Sequence, residues 1–183
     1  MTELTTLDAV KAYMGVTSTA DDALLGSLIT AVSQYVRTYT NRDFTVTDYT
    51  QLFDGQNNTR QMLPQYPVQS VASVQIGTQA VAASPGLGQS GFRFDTNSIV
   101  LAGYRFCHGE ANVQITWTAG YPVIPADLAQ AVNELVGLRY KLRGDNMGWV
   151  SKTLAGEVVT LVQKDMPDSV RTILNNYRAV VPL

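Results

Sequence analysis

The chain has a single cysteine, Cys107, and a single histidine, His108, in 183 residues. One thiol excludes an intramolecular disulfide, and with it the small secreted scaffolds that depend on such staples. One imidazole leaves too few strong ligands for a zinc site, which needs three or four, and makes His108 the sole base for a serine-type triad. Charge is also scarce: Asp, Glu, Lys and Arg make up 15%, and the net charge is −2. A dedicated nucleic-acid binder normally shows a strongly basic face, so that class is disfavoured. No apolar run approaches the roughly 18 residues of a membrane span. The opening Met-Thr-Glu-Leu-Thr-Thr-Leu-Asp carries acids where a signal peptide carries bases, so we expect a cytoplasmic, reducing setting.

What is present is a core. Apolar residues reach 45% without a low-complexity tract, enough for a folded chain of this length. Leu7, Val10 and Met14 share a face of a first predicted helix, 6–14, with Thr5 and Asp8 at capping-box spacing and Gly15 at the C′ position. A longer helix is predicted over 20–41, with Thr19 as N-cap and Asp21 and Asp22 in the first turn, where the macrodipole favours acids. Leu24, Leu25, Leu28, Ile29, Val32, Tyr35, Val36 and Tyr39 repeat along it at intervals of three and four, the clearest periodic signal here.

From Phe44 the pattern turns to Thr, Tyr, Val and Phe. Strands are expected at 44–53, 71–76, 92–94, 98–101 and 112–118, separated by Gly, Pro and Asn. A third helix, 125–143, follows Pro125, with Leu128, Ala131, Val132, Leu135, Leu138 and Leu142 in one stripe. Its end gathers Arg139, Lys141 and Arg143, which suit the macrodipole and also suit an acidic partner or passing DNA. Residues 144–156, with Trp149, read as an exposed connector, and 157–162 as a possible strand. A last helix opens at Pro167 with Val170, Ile173, Leu174 and Tyr177 on one face, followed by the tail Val180-Val181-Pro182-Leu183. Helices flank the strands without alternating with them, which predicts an α+β fold. The expected organisation is one α+β domain over 1–143 with its β block at 44–118, a flexible connector at 144–166, and a C-terminal helix and tail at 167–183.

Chemical motifs are thin. Gly86-Leu87-Gly88-Gln89-Ser90-Gly91 matches G-x-G-x-x-G, but a dinucleotide site needs a strand before it and a helix after it. Here Ser84-Pro85 precedes the string and the strand-like Phe92-Arg93-Phe94 follows, so a mobile connection between strands is the better reading. Cys107, His108 and Glu110 lack a further ligand, and no G-x-S-x-G string marks a nucleophile. The acid pairs Asp21/Asp22 and Asp165/Asp168 sit at predicted helix starts, where the dipole explains them. No catalytic, cofactor-binding or metal-binding residue is expected.

Several segments, in order, resemble the head–tail connector (adaptor, head completion) family of tailed phages. They are Leu4-Thr5-Thr6-Leu7-Asp8-Ala9-Val10-Lys11; Asp21-Asp22-Ala23-Leu24-Leu25 through Asn41-Arg42-Asp43-Phe44; Tyr66-Pro67-Val68-Gln69-Ser70-Val71; Tyr121-Pro122 with Ile124-Pro125-Ala126-Asp127-Leu128; Leu154-Ala155-Gly156-Glu157; and Met166-Pro167 through Tyr177-Arg178. The resemblance implies a structural virion protein and not an enzyme. It implies a homo-oligomeric ring of twelve subunits in the neck, below the portal and above a stopper or tail protein. DNA would pass through the lumen without tight binding, and no cofactor or membrane is involved. It also points to the C-terminal region, Val170, Arg171, Ile173, Leu174, Tyr177, Arg178, Val180, Val181 and Leu183, as the portal-docking element. The alternative for that helix is packing on its own subunit. Alternatives for the whole chain are another neck component, such as a stopper or tail terminator, or a carbohydrate- or protein-binding β module with helical flanks.

Overall fold

In a computed structural model, residues 3–86, 88–143, 151–154, 157–160 and 166–179 are described. The fold is α+β, with four helices and antiparallel sheets among the described residues. The chain forms two compact units, one from 1–41 with 124–180 and the other built on 42–123. Both boundaries fall inside the span expected to be one domain.

The first unit is helical. Helix α1 (Leu7–Met14) is capped by Thr6, whose hydroxyl accepts the Ala9 amide at 3.2 Å, and closes on Gly15 in the left-handed region, φ 68°. Thr5 is therefore not the cap. It is buried, and its hydroxyl donates to Asn133 Oδ1 at 2.6 Å. Helix α2 (Asp22–Thr40) starts two residues later than expected, with Asp21 rather than Thr19 at the N-cap. Its predicted stripe is the observed core face: Leu25, Ile29, Val32 and Val36 are fully enclosed. Asn41, at φ 52°, ends it by donating its amide to the last carbonyls, Arg37 and Thr38. Helix α3 (Ala126–Leu142) buries Leu128, Ala131, Val132, Leu135 and Val136, and helix α4 (Asp168–Tyr177) buries Val170 and Leu174. Both start just after a proline, Pro125 and Pro167, which fits a position whose N–H has no intrahelical partner.

The second unit is two antiparallel sheets over one core. Strands β1 (Thr47–Gly55), β3 (Val68–Ile76), β4 (Gln79–Val81) and β7 (Gly109–Ala119) form a sheet of order β1-β7-β3-β4. Strands β2 (Arg60–Met62), β5 (Gly91–Phe94) and β6 (Ser98–Ala102) form the other, of order β2-β6-β5. β7 alternates as a half-buried strand should, with Val113, Ile115, Trp117 and Ala119 inward. They meet Phe92, Ile99, Leu101 and Phe106 from the other sheet side of the unit. Trp117 stacks on Tyr49, and its indole N–H donates to the Gln65 carbonyl at 3.1 Å. The outward face of β1 and β7 is polar: Thr118 donates to Asp48 at 2.7 Å, and the Thr50 and Thr116 hydroxyls lie 3.1 Å apart. Strands β2 and β4 were missed in the sequence because three residues are too short for any periodicity.

A further hairpin, β8 (Ser151–Leu154) with β9 (Glu157–Thr160), lies between α3 and α4 in sequence. β9 answers the expected strand, but β8 occupies part of the stretch read as connector. Its Ser-Lys-Thr-Leu sequence is too short and too polar to signal a strand alone. Trp149 lies outside the described residues.

Candidate functional site

The glycine string and the Cys107-His108 pair both lie in connections between strands of the β unit. The Gly86–Gly91 string joins β4 to β5, with no helix after it. Ser84 Oγ shares its one proton between the carbonyls of Gly86 at 3.0 Å and Gln89 at 2.9 Å, and the Arg93 guanidinium donates to Ser84 Oγ and to the Gly86 carbonyl. The loop thus presents carbonyls to a cation of its own subunit, where a phosphate cradle presents amides. Ser84 and Arg93 thus tie Gly86 and Gln89 of this connection to the start of β5. Cys107 and His108 are both exposed, and Cys107 Sγ lies 3.6 Å from the Arg105 carbonyl. Among the described residues no group of three or more His, Cys, Asp or Glu side chains is placed to hold a metal.

The basic group at the end of α3 is divided among three environments. Arg139 lies over the Tyr35 ring at 5.1 Å. Arg143 donates to both oxygens of Asp21, at 3.2 and 2.8 Å, and lies over the Tyr140 ring at 4.2 Å. Lys141 is exposed at the lip of a groove of about 380 Å³ lined by Tyr13, Met14, Glu134, Gly137, Leu138 and Pro167. Gly137 lines that groove beside Tyr13 and Met14, where an added Cβ would make ordinary contact at 3.4 Å from the Tyr13 ring.

Asp21 was read as a dipole-stabilised acid, and its main role lies elsewhere. Tyr140 donates to it at 2.6 Å beside Arg143. These hydrogen bonds, Arg143 first and Tyr140 second, hold the Asp21 carboxyl below its ordinary value. The Asp21 bond raises Tyr140 above the usual phenol value, because the phenol must stay protonated to donate. Asp22 is likewise paired, accepting from Lys11 Nζ at 2.7 Å. The sequence signal was only acids near a helix start; the Asp21 partners, Tyr140 and Arg143, lie 119 and 122 residues along the chain.

The docking candidates on α4 fall into two groups. Val170 and Leu174 are fully enclosed within the helical unit, and Ile173 and Tyr177 are half-buried. α4 is stitched to its own unit by Tyr177 Oη to Asp127 at 2.7 Å, Tyr39 Oη to Asn175 at 2.9 Å, Ser169 to Glu134 at 2.9 Å, and the Ala179 amide to the Thr40 carbonyl at 2.8 Å. This apolar face is covered by its own subunit, so the expectation that it awaits an outside partner is corrected. Arg171 and Arg178 remain exposed, with Arg171 3.8 Å from Asp168 and Arg178 over the Tyr39 ring at 5.9 Å. Val180, Val181 and Leu183 lie outside the described residues.

The helices and paired sheets define a fold found in solved virus-like particles. A chain in the neck of an empty gene transfer agent particle, computed with C6 symmetry, superimposes with a TM-score of 0.61 at 23% identity, covering 97% of this chain and 90% of that one. A chain in the neck of the native particle, computed with C12 symmetry, gives 0.58 at 23%, covering 100% and 96%. One from the virion of the native gene transfer agent gives 0.59 at 21%, covering 100% and 96%. At these identities the likeness is one of fold. Residues 3–180 match the family model described as Head completion protein, and the chain belongs to that family. A search of curated proteins gives no match.

Proposed function

We infer that this chain is a structural subunit of the neck of a phage-like particle, where it forms a ring that joins portal to tail and completes the DNA-filled head. Family membership over residues 3–180 carries this reading. The twelvefold and sixfold particles in which the fold occurs support a ring over a monomer. In that ring the chain acts by shape and contact and performs no catalysis, and DNA passes without being gripped. Tight phosphate binding needs many free bases, whereas Arg139 and Arg143 are occupied within the subunit. The C-terminal region makes the portal contact through the exposed Arg171 and Arg178 and the tail beyond Ala179, since the apolar face of α4 is already used. Charges at such a rim set register more than affinity.

Particle imaging tests the whole reading. A twelvefold ring of this chain directly under the portal is expected; its placement at the tail tip or inside the tail tube would refute it. Duplex DNA titrated into the isolated protein at physiological salt should show no submicromolar binding.

A further inference from the structure

Among the described residues several outer strand edges have no strand beside them, and two of these suit the addition of another. The first is the outer edge of β1, which pairs with β7 on one side only. Between Thr47 and Phe53 that edge runs for roughly 20 Å, at about 3.4 Å per residue. Among the described residues no strand or isolated bridge covers it. Exposed edges usually carry features that discourage pairing, such as lysine, proline or extreme brevity. β1 contains neither lysine nor proline, spans nine residues, and leaves Leu52 56% exposed. The opposite edge of the same sheet is treated differently. β4 has only three residues, and the chain just beyond it bridges from Ala83 to Phe92.

The second is the β8–β9 hairpin. Each strand has four residues, and among the described residues each pairs only with the other. A two-stranded hairpin alone is marginal in water and needs a third strand or a packing surface. Its sequence supplies Thr153, Val158, Val159 and Thr160, residue types suited to an extended sheet.

We propose that β8 of one subunit adds as a further strand to the outer edge of β1 in the neighbouring subunit, so that the hairpin clasps the ring laterally. The proposal rests on the ring reading above. Strand addition at an edge takes its affinity from main-chain hydrogen bonds, which β1 offers along its length. Charge selects β8 over β9: β1 carries Asp48 and Asp54 and no base, β8 carries Lys152, and β9 carries Glu157. The joined surfaces differ, so the contact is head-to-tail and propagates until a ring closes. A four-residue ladder is weak singly, which suits a contact repeated around a ring assembled on a template.

The test uses particles assembled with the full chain. Leu52→Cys and Thr153→Cys are combined on a Cys107→Ser background and treated with a short bismaleimide. A ladder of covalent multimers on a denaturing gel, absent from either single-cysteine chain, is the expected result. A link formed within one chain, or no link in particles that contain a ring, overturns the clasp. Amide exchange on the unmodified protein gives an independent reading: residues 47–53 and 151–160 should slow by at least about tenfold on assembly. Unchanged exchange there overturns the clasp even if the cysteine variants misassemble. Images showing no ring would overturn the functional reading and the clasp together, whereas a ring without cross-link or protection overturns the clasp alone.

Discussion

Replacing Leu174 with alanine separates two roles for α4, since the side chain is fully enclosed within the helical unit. Truncating a buried leucine costs the lost transfer free energy plus the cavity left behind, together about 2–5 kcal/mol. Total stabilities run to roughly 5–15 kcal/mol, so the substitution consumes a large fraction of what holds the unit folded. In a chain of this size it should lower the melting midpoint by roughly 5–15 °C. Arg171 on the same helix is exposed, and Arg171→Ala should stay within about 0.5 kcal/mol. Urea titration followed by helical circular dichroism measures both. A loss below about 1 kcal/mol for Leu174→Ala would refute the packing described for α4 and restore its apolar face to an outside partner. The same reasoning reverses an obvious experiment. Deleting 167–183 removes Val170 and Leu174 together, so it should unfold the helical unit rather than produce a folded chain that no longer attaches.

Portal attachment is instead addressed by Arg171→Glu with Arg178→Glu, which should leave the melting curve near its normal position while reducing attachment to portal-bearing heads at least about tenfold; normal attachment would remove these residues from the interface. Asp21 has a lowered folded value relative to its ordinary 3.8, so its contribution is fully present above that pH and is lost as pH falls through the lowered value. Asp21→Asn should therefore flatten the acid limb of a stability–pH curve, and an unchanged limb would assign acid sensitivity to other groups. Gly120 has φ 127°, and a Cβ there would collide with the Thr45 carbonyl; Gly120→Ala should cost at least about 2 kcal/mol, read by loss of near-ultraviolet signal from the β unit. His108→Ala should leave particle yield and infectivity near normal, and a block to infection with intact rings would argue for chemistry at that residue.

The elements themselves were largely legible. Leu25, Ile29, Val32 and Val36 announce α2 through helical spacing, and Val113, Ile115 and Trp117 announce β7 through alternation, because burial of one face imposes each period. Which neighbour covers a face is not written locally. The stripe Val170, Ile173, Leu174 and Tyr177 looks the same whether α3 or a foreign subunit covers it, and only the enclosure of Val170 and Leu174 decides. Caps show the same limit. Thr5 and Thr6 are equally good by residue type, and the choice of Thr6 follows from Asn133, 128 residues from Thr5, claiming the Thr5 hydroxyl. Candidate contact surfaces were the least legible, since Arg143 and Asp21 meet across 122 residues.

The helical unit draws on both sides of the β unit in sequence, and this sets an order of events during synthesis. α1 and α2 are made first, yet much of what covers Leu25, Ile29, Val32 and Val36 comes from α3 and α4, which emerge only after the whole β unit. Residues 42–123 include both strand layers and the bridge from Thr45 to Tyr121 that ties their ends, so they reach a closed, self-contained structure while the first two helices still wait. During that interval an apolar helix face is open to the wrong partner, a hazard shared by chains whose contacts span long separations. The hairpin and α4 follow the β unit in sequence. The helical unit therefore closes its core only after the β unit and α4 have both been made.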